Sequence, residues 1–188
     1  MAPRDTFTRG TGRGSPVSVL VAGIGNVFLR DDGFGVEVAR RLMRRGGLPD
    51  EAAVLDVGIR GMHLAYRLLD GCAGLLLVDT VHRDGAPGTL YRLEHDLEGT
   101  GPGAGLDGHG MDPATVLATL DGLAAVHGID RPVDRVLVLG CEPAELDEGM
   151  GLSEVVADAV EPALVAVDEM VALLLDDTVD AGPAAALP

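Results

Sequence analysis

Three stretches of the chain each hold an unbroken apolar run that stops at small or acidic residues. They are VSVLVAGIG from Val17, LLLVDT ending at Asp79 with Thr80, and VDRVLVLG running up to Cys141. A strand that alternates apolar and polar residues has one wet face; a continuously apolar strand is covered on both. Such strands belong to the inside of a parallel sheet. Parallel strands need long crossovers, and the segments between these runs have helical spacing. Val36, Ala39, Leu42 and Met43 are expected to form the apolar side of a first helix, with Arg40, Arg41, Arg44 and Arg45 mostly facing water. Arginines at its C-terminal end suit the helix dipole, and Gly46 and Gly47 stop it.

The rest of the chain continues the pattern. AAVLDV reads as a strand ending at Asp56, Gly61 to Leu69 as a helix, and TLYRL as a short alternating edge strand. Asp112 followed by Pro113 reads as a cap and first residue of a helix with Val116, Leu117, Leu120, Leu123 and Ala124 on its apolar stripe. A last long helix starts near Ser153 and carries Val156, Val160, Leu164, Val167 and Val171; Pro162 inside it predicts a kink or a split. The order β-α-β-α-β-β-α-β-α predicts an α/β fold, a three-layer sandwich with a mostly parallel, twisted five-stranded sheet and helices on both faces. One domain over residues 17–176 is expected, with flexible tails at 1–16 and 177–188.

Composition narrows the function. Fourteen basic residues stand against thirty acidic ones, a net charge of −16, and every basic residue is arginine. Such a chain repels phosphate backbones and anionic lipid, so neither a nucleic-acid nor a membrane partner is expected. No apolar segment is long enough to span a bilayer and the N-terminus has no signal-peptide core, which predicts a cytoplasmic protein. The two cysteines, Cys72 and Cys141, form no CxxC pair and read as buried thiols.

Open α/β sheets bind ligands beyond the carboxyl ends of their strands. The residues expected there are Asn26, Asp31 and Asp32 after the first strand, Asp56 after the second, Asp79 after the third, and Glu142 with an acidic loop after the fifth. The long Gly-rich connection 94–111 brings His109 towards the same edge. Gathered carboxylates repel unless a cation or shared protons compensate. Asp32, Asp79 and His109 make a facial set suited to nickel, zinc or iron with positions left open. Each also has a plainer reading: Asp32 as a helix cap, Asp79 as a capping or turn residue. His82 is held in reserve as an imidazole near Asp79. GIGN is no dinucleotide fingerprint, because Phe28 stands where GxGxxG needs glycine. VDT at 78–80 matches the start of an aspartic-protease DTG, but Val81 replaces the glycine and the fold class is wrong. GxSxG is missing as well.

Taken together, GIGNVFLRDDGFGVEVA, LDVGIRGMHLAYRLL, LLLVDTV, APGTLY, GHGMDPATVL and GCEPAELDEGMGLSEVVADAVEPAL resemble, in order, the hydrogenase maturation endopeptidases. The resemblance implies a protease that recognises nickel already inserted in the precursor of a nickel–iron hydrogenase large subunit. It would remove a short C-terminal peptide, act as a monomer, and hold no tightly bound metal of its own. It assigns metal contact to Asp32, Asp79 and His109, and a role in activity or recognition to Asp56. The nucleophile is then a water activated by the metal, or one whose proton Asp32 or Asp79 handles. Val57-Gly58-Ile59-Arg60 departs from the Gly-Gly-Thr of many members, and Arg60 either binds a substrate carboxylate or neutralises Asp56. The alternative is a non-catalytic, nickel-sensing assembly chaperone using the same residues.

Overall fold

A computed structural model describes residues 17–95 and 113–180. The elements are β1 (Val19–Ile24), a 3-10 turn (Arg30–Gly33), α1 (Phe34–Arg45), β2 (Ala52–Gly58), α2 (Gly61–Leu68), β3 (Cys72–Thr80), β4 (Leu90–His95), α3 (Pro113–His127), β5 (Val133–Cys141) and α4 (Glu154–Asp180). The sheet order is β2-β1-β3-β5-β4. β1, β2, β3 and β5 run parallel, and β4 closes one edge antiparallel to β5. This is the expected mixed, mostly parallel sheet between two helical layers. The tail at 1–16, residues 181–188 of the C-terminal tail, His109, the Asp112 cap and most of the Gly-rich connection lie outside the described residues; α4 itself reaches Asp180.

Alternation along the strands divides the core. Val19 and Val21 of β1, Leu76 and Val78 of β3, and Leu137 and Leu139 of β5 pack with α1 and α4. Ala22, Leu75, Leu77, Val136 and Val138 face Leu64 and Leu68 of α2 and Val116, Leu117 and Leu120 of α3. With so few aromatics, branched aliphatics fill both layers; truncating a residue such as Leu76 to alanine removes about 2–5 kcal/mol.

Two expectations about the helices are corrected. Met43 is 49% exposed, and Phe34 and Val38 complete the buried side of α1. The arginines of α1 also do more than face water. Arg41 Nη1 bonds Glu161 at 2.6 Å and Arg45 Nη2 bonds Asp168 at 2.6 Å, so they tie α1 to α4. Pro162 does not split α4, which is continuous over 27 residues. Pro162 and Asp158, whose carbonyl loses its partner there, both lie on the solvent face, where water can replace the bond. The buried stripe on the other side holds the helix together. Among the described residues no helix is long and apolar enough to cross a membrane.

Candidate functional site

From β1 the chain steps to β2 on one side and then returns to β3 on the other. The crevice where this reversal occurs opens between the carboxyl ends of β1 and β3. Asp79 lies at the end of β3 and is 5% exposed. Asp32 lies on the 3-10 turn that follows β1. Thr80 joins them: its backbone N–H donates to Asp79 Oδ1 at 2.8 Å and its hydroxyl donates to Asp32 Oδ1 at 3.3 Å. The other Asp32 oxygen accepts the Asn26 N–H at 2.7 Å, a bond within the loop and not a helix cap.

Glycines make this convergence possible. A Cβ on Gly35 would stand 2.1 Å from the Val78 carbonyl oxygen, and one on Gly23 would stand 2.2 Å from the Gly35 oxygen. Without side chains there, the start of α1 rests directly on the ends of β1 and β3. Gly25, at φ +131°, sits between the Asp32 backbone and the Asp79 carboxylate; its Cβ would be 1.8 Å from the Asp32 carbonyl oxygen and 3.8 Å from Asp79 Oδ1.

Asp56 lies near the carboxyl end of β2, which runs on to Gly58, and is in register with Gly23. Its carboxylate accepts Arg40 Nε at 2.9 Å. Arg60 instead donates to the backbone oxygens of Asp56, at 2.9 Å, and Val57, at 3.2 Å. Of the two roles offered for Arg60, pairing with the Asp56 carboxylate is therefore taken by Arg40. Arg60 braces the β2–α2 turn, and the arginine that neutralises Asp56 comes from α1.

Two buried carboxylates nearby have structural work. Asp31 is fully buried and accepts the N–H groups of Ala144 (2.9 Å), Glu145 (2.8 Å) and Ser153 (2.6 Å) and the Ser153 hydroxyl (2.9 Å). Burial pushes its pKa up, but these donors prevail and hold it below the ordinary value. Sequence reading placed Asp31 at the edge without a role; the Asp31-Asp32 doublet was visible, its partners more than a hundred residues on were not. Glu142, expected at the rim of the cleft, is instead 4% exposed. It accepts the Arg83 N–H and the Tyr91 hydroxyl, both at 2.9 Å, and organises the β3–β4 turn. Burial raises its pKa, and those bonds more than reverse this. His82 turns to the same group, with Nδ1 3.5 Å from Glu142 Oε1.

Both thiols are held in the protonated, weakly nucleophilic form. Burial first, then neighbouring carboxylates, pushes Cys72 and Cys141 each up to about 12. What remains at the crevice is a linked pair of carboxylates with access to solvent through Asp32. Such a pair can grip a divalent cation or move a proton. No group of three histidine, cysteine or acidic side chains able to hold a metal occurs among the described residues, a set that excludes His109.

The hydrogenase maturation protease family profile matches residues 36–169. Hydrogenase 2 maturation protease of Escherichia coli is 28% identical over 169 residues, covering 90% of this chain and 98% of that protein. Hydrogenase expression/formation protein HupD of Rhodobacter capsulatus is 32% identical over 153 residues, 79% of this chain and 69% of that protein. The solved structure of the hydrogenase maturating endopeptidase HybD from E. coli superposes with a TM-score of 0.62 at 30% identity, over 79% of this chain and 88% of that one.

Proposed function

We propose, from the premise that this chain belongs to the hydrogenase maturation protease family, a family of peptide hydrolases, that it cuts the C-terminal extension from a nickel-loaded large-subunit precursor. What supports the reading is the Thr80 link, whose N–H donates to Asp79 Oδ1 and whose hydroxyl donates to Asp32 Oδ1 near the switch point of the sheet.

Nickel arrives here as part of the substrate. Asp32, Asp79 and His109 take hold of it, and the precursor's scissile bond is thereby brought over the carboxylate pair. Water adds to the peptide carbonyl. A carboxylate of the pair takes the water's proton and returns it to the departing amine. The products are a new C-terminal carboxylate on the large subunit and a free peptide. Asp56, fixed by Arg40, lines the approach on the β2 side. The protein works in the cytoplasm as a monomer, without a resident metal.

Purified chain incubated with nickel-loaded and nickel-free precursor tests this, with intact mass as the readout. Loss of the C-terminal peptide from the nickel-loaded form alone is the expected result. Equal cleavage of both forms would remove the nickel-recognition role. Stable binding without any loss of mass would favour the assembly-chaperone alternative.

A further inference from the structure

The β1–α1 loop and the β5–α4 loop are knitted into one ledge beside Asp32. The Gly149 N–H donates to the Phe28 oxygen at 2.8 Å, the Arg30 N–H to the Gly149 oxygen at 3.1 Å, and the Asp31 N–H to the Glu145 oxygen at 3.1 Å. The Arg30 guanidinium meets Glu145 at 3.2 Å, and Arg30 is held at φ 48°, a conformation a side chain seldom adopts. The Asp31 carboxylate fastens the second loop from beneath. On this hydrogen-bonded ledge stand Phe28, 64% exposed, and Met150, 75% exposed. The chain has three phenylalanines, two tyrosines and no tryptophan, so an aromatic left in water is conspicuous.

Behind the ledge is a cavity of about 310 Å³ whose walls include Val27, Met150, Leu152, Gly33, Arg30 and Arg40. It adjoins the carboxylate site twice, because Gly33 follows Asp32 and Arg40 holds Asp56. Glu37 also lines it, but Arg41 and Arg44 occupy that carboxylate. Among the described residues Arg40 engages Asp56 through Nε and Arg30 engages Glu145 through Nη1, so each guanidinium keeps further donors. In a chain of net charge −16, a cavity walled by Arg30, Arg40 and Arg41 beside the apolar Val27, Met150 and Leu152 suits a segment with apolar side chains that ends in a carboxylate.

We propose that this ledge and cavity bind the part of the precursor beyond the scissile bond, with its apolar side chains on Phe28 and Met150 and its terminal carboxylate at Arg30 and Arg40. The inference rests on the cleavage reading above. The excised peptide is a chain end and necessarily carries an α-carboxylate. Because the two loops of the ledge are already bonded to each other, less ordering is left for docking to impose.

Steady-state cleavage of nickel-loaded precursor tests it with the full chain, a Phe28→Ser/Met150→Ser double variant, and Val126→Ser as a control on α3, where Val126 is 83% exposed. The double variant should raise KM about tenfold and leave kcat within about twofold, while the control changes neither. A precursor whose terminal carboxylate is amidated should show a similar rise in KM with the unaltered chain. An unchanged KM in the double variant overturns the docking site, as does an amidated precursor cut as readily as the free acid. If the unaltered chain cuts no precursor at all, the cleavage reading falls and this inference with it.

Discussion

Replacing Asp31 by alanine should unsettle the molecule more than replacing any other acidic residue near the site. The substitution removes the acceptor for three backbone N–H groups and one hydroxyl, at 2.6–2.9 Å. Hydrogen bonds to a charged acceptor contribute about 1.5–3 kcal/mol each. Against that sum stands the several kcal/mol it takes to strip water from a fully buried carboxylate. Water entering the space left by the carboxylate recovers part of the loss. A net destabilisation of about 3–5 kcal/mol follows. The chain has no tryptophan, so urea unfolding is best followed by far-ultraviolet circular dichroism. Acidity provides a second check. Asp31 titrates below its ordinary value in the folded chain, against about 3.9 when unfolded. Its contribution is therefore complete above that unfolded value and is lost as pH falls through the lower folded one. The gap between parent and variant should be constant from about pH 7 to 5 and close in stronger acid. A loss below about 1 kcal/mol at neutral pH, or a gap indifferent to acid, would refute the account of Asp31 as a charged anchor.

Other outcomes follow from the same geometry. Asp79→Asn and Asp32→Asn should each lower single-turnover cleavage by about 10²–10⁴-fold with little change in melting temperature; activity near the parent level would break the link between the pair and the chemistry. Gly25→Ala places a methyl group 1.8 Å from the Asp32 oxygen at φ +131°, so calorimetry should show a melting temperature lower by several degrees, and cleavage should fall with it. With both thiols pushed up to about 12, native protein at pH 8 should resist alkylation by iodoacetamide, and rapid labelling of Cys141 in a mass spectrum would contradict its burial. Asp168→Ala should cost about 1 kcal/mol or less by chemical denaturation, because the Arg45–Asp168 pair is exposed on both sides.

Most of the fold was legible because its signals are local. Apolar runs over β1, β3 and β5 and the stripes on α3 and α4 report burial through short periods along the chain. The end of β3 at Asp79 and the turn at Asp32 followed from strand ends alone, and the sheet order brings these two together. Partner choice across long separations was not legible. A guanidinium can reach several carboxylates, so Arg60 was the nearer candidate for Asp56 in sequence while Arg40 is the nearer one in space. Glu142 reads as a residue of the cleft rim after the fifth strand; only the fold supplies the Tyr91 hydroxyl and the Arg83 N–H that it accepts in its buried position. At Pro162 a local rule allows a split helix, but packing on the far side of α4 keeps it continuous.

Backbone touches backbone where Gly23 and Gly35 meet, and this seam has no deformable layer between its two halves. A mutation there has nowhere to put even a methyl group, so the mounting of the carboxylate pair cannot be adjusted by small steps. Any retuning of such a protein towards a different precursor must come from the loops around the seam, which act as exchangeable fittings on a chassis of fixed dimensions.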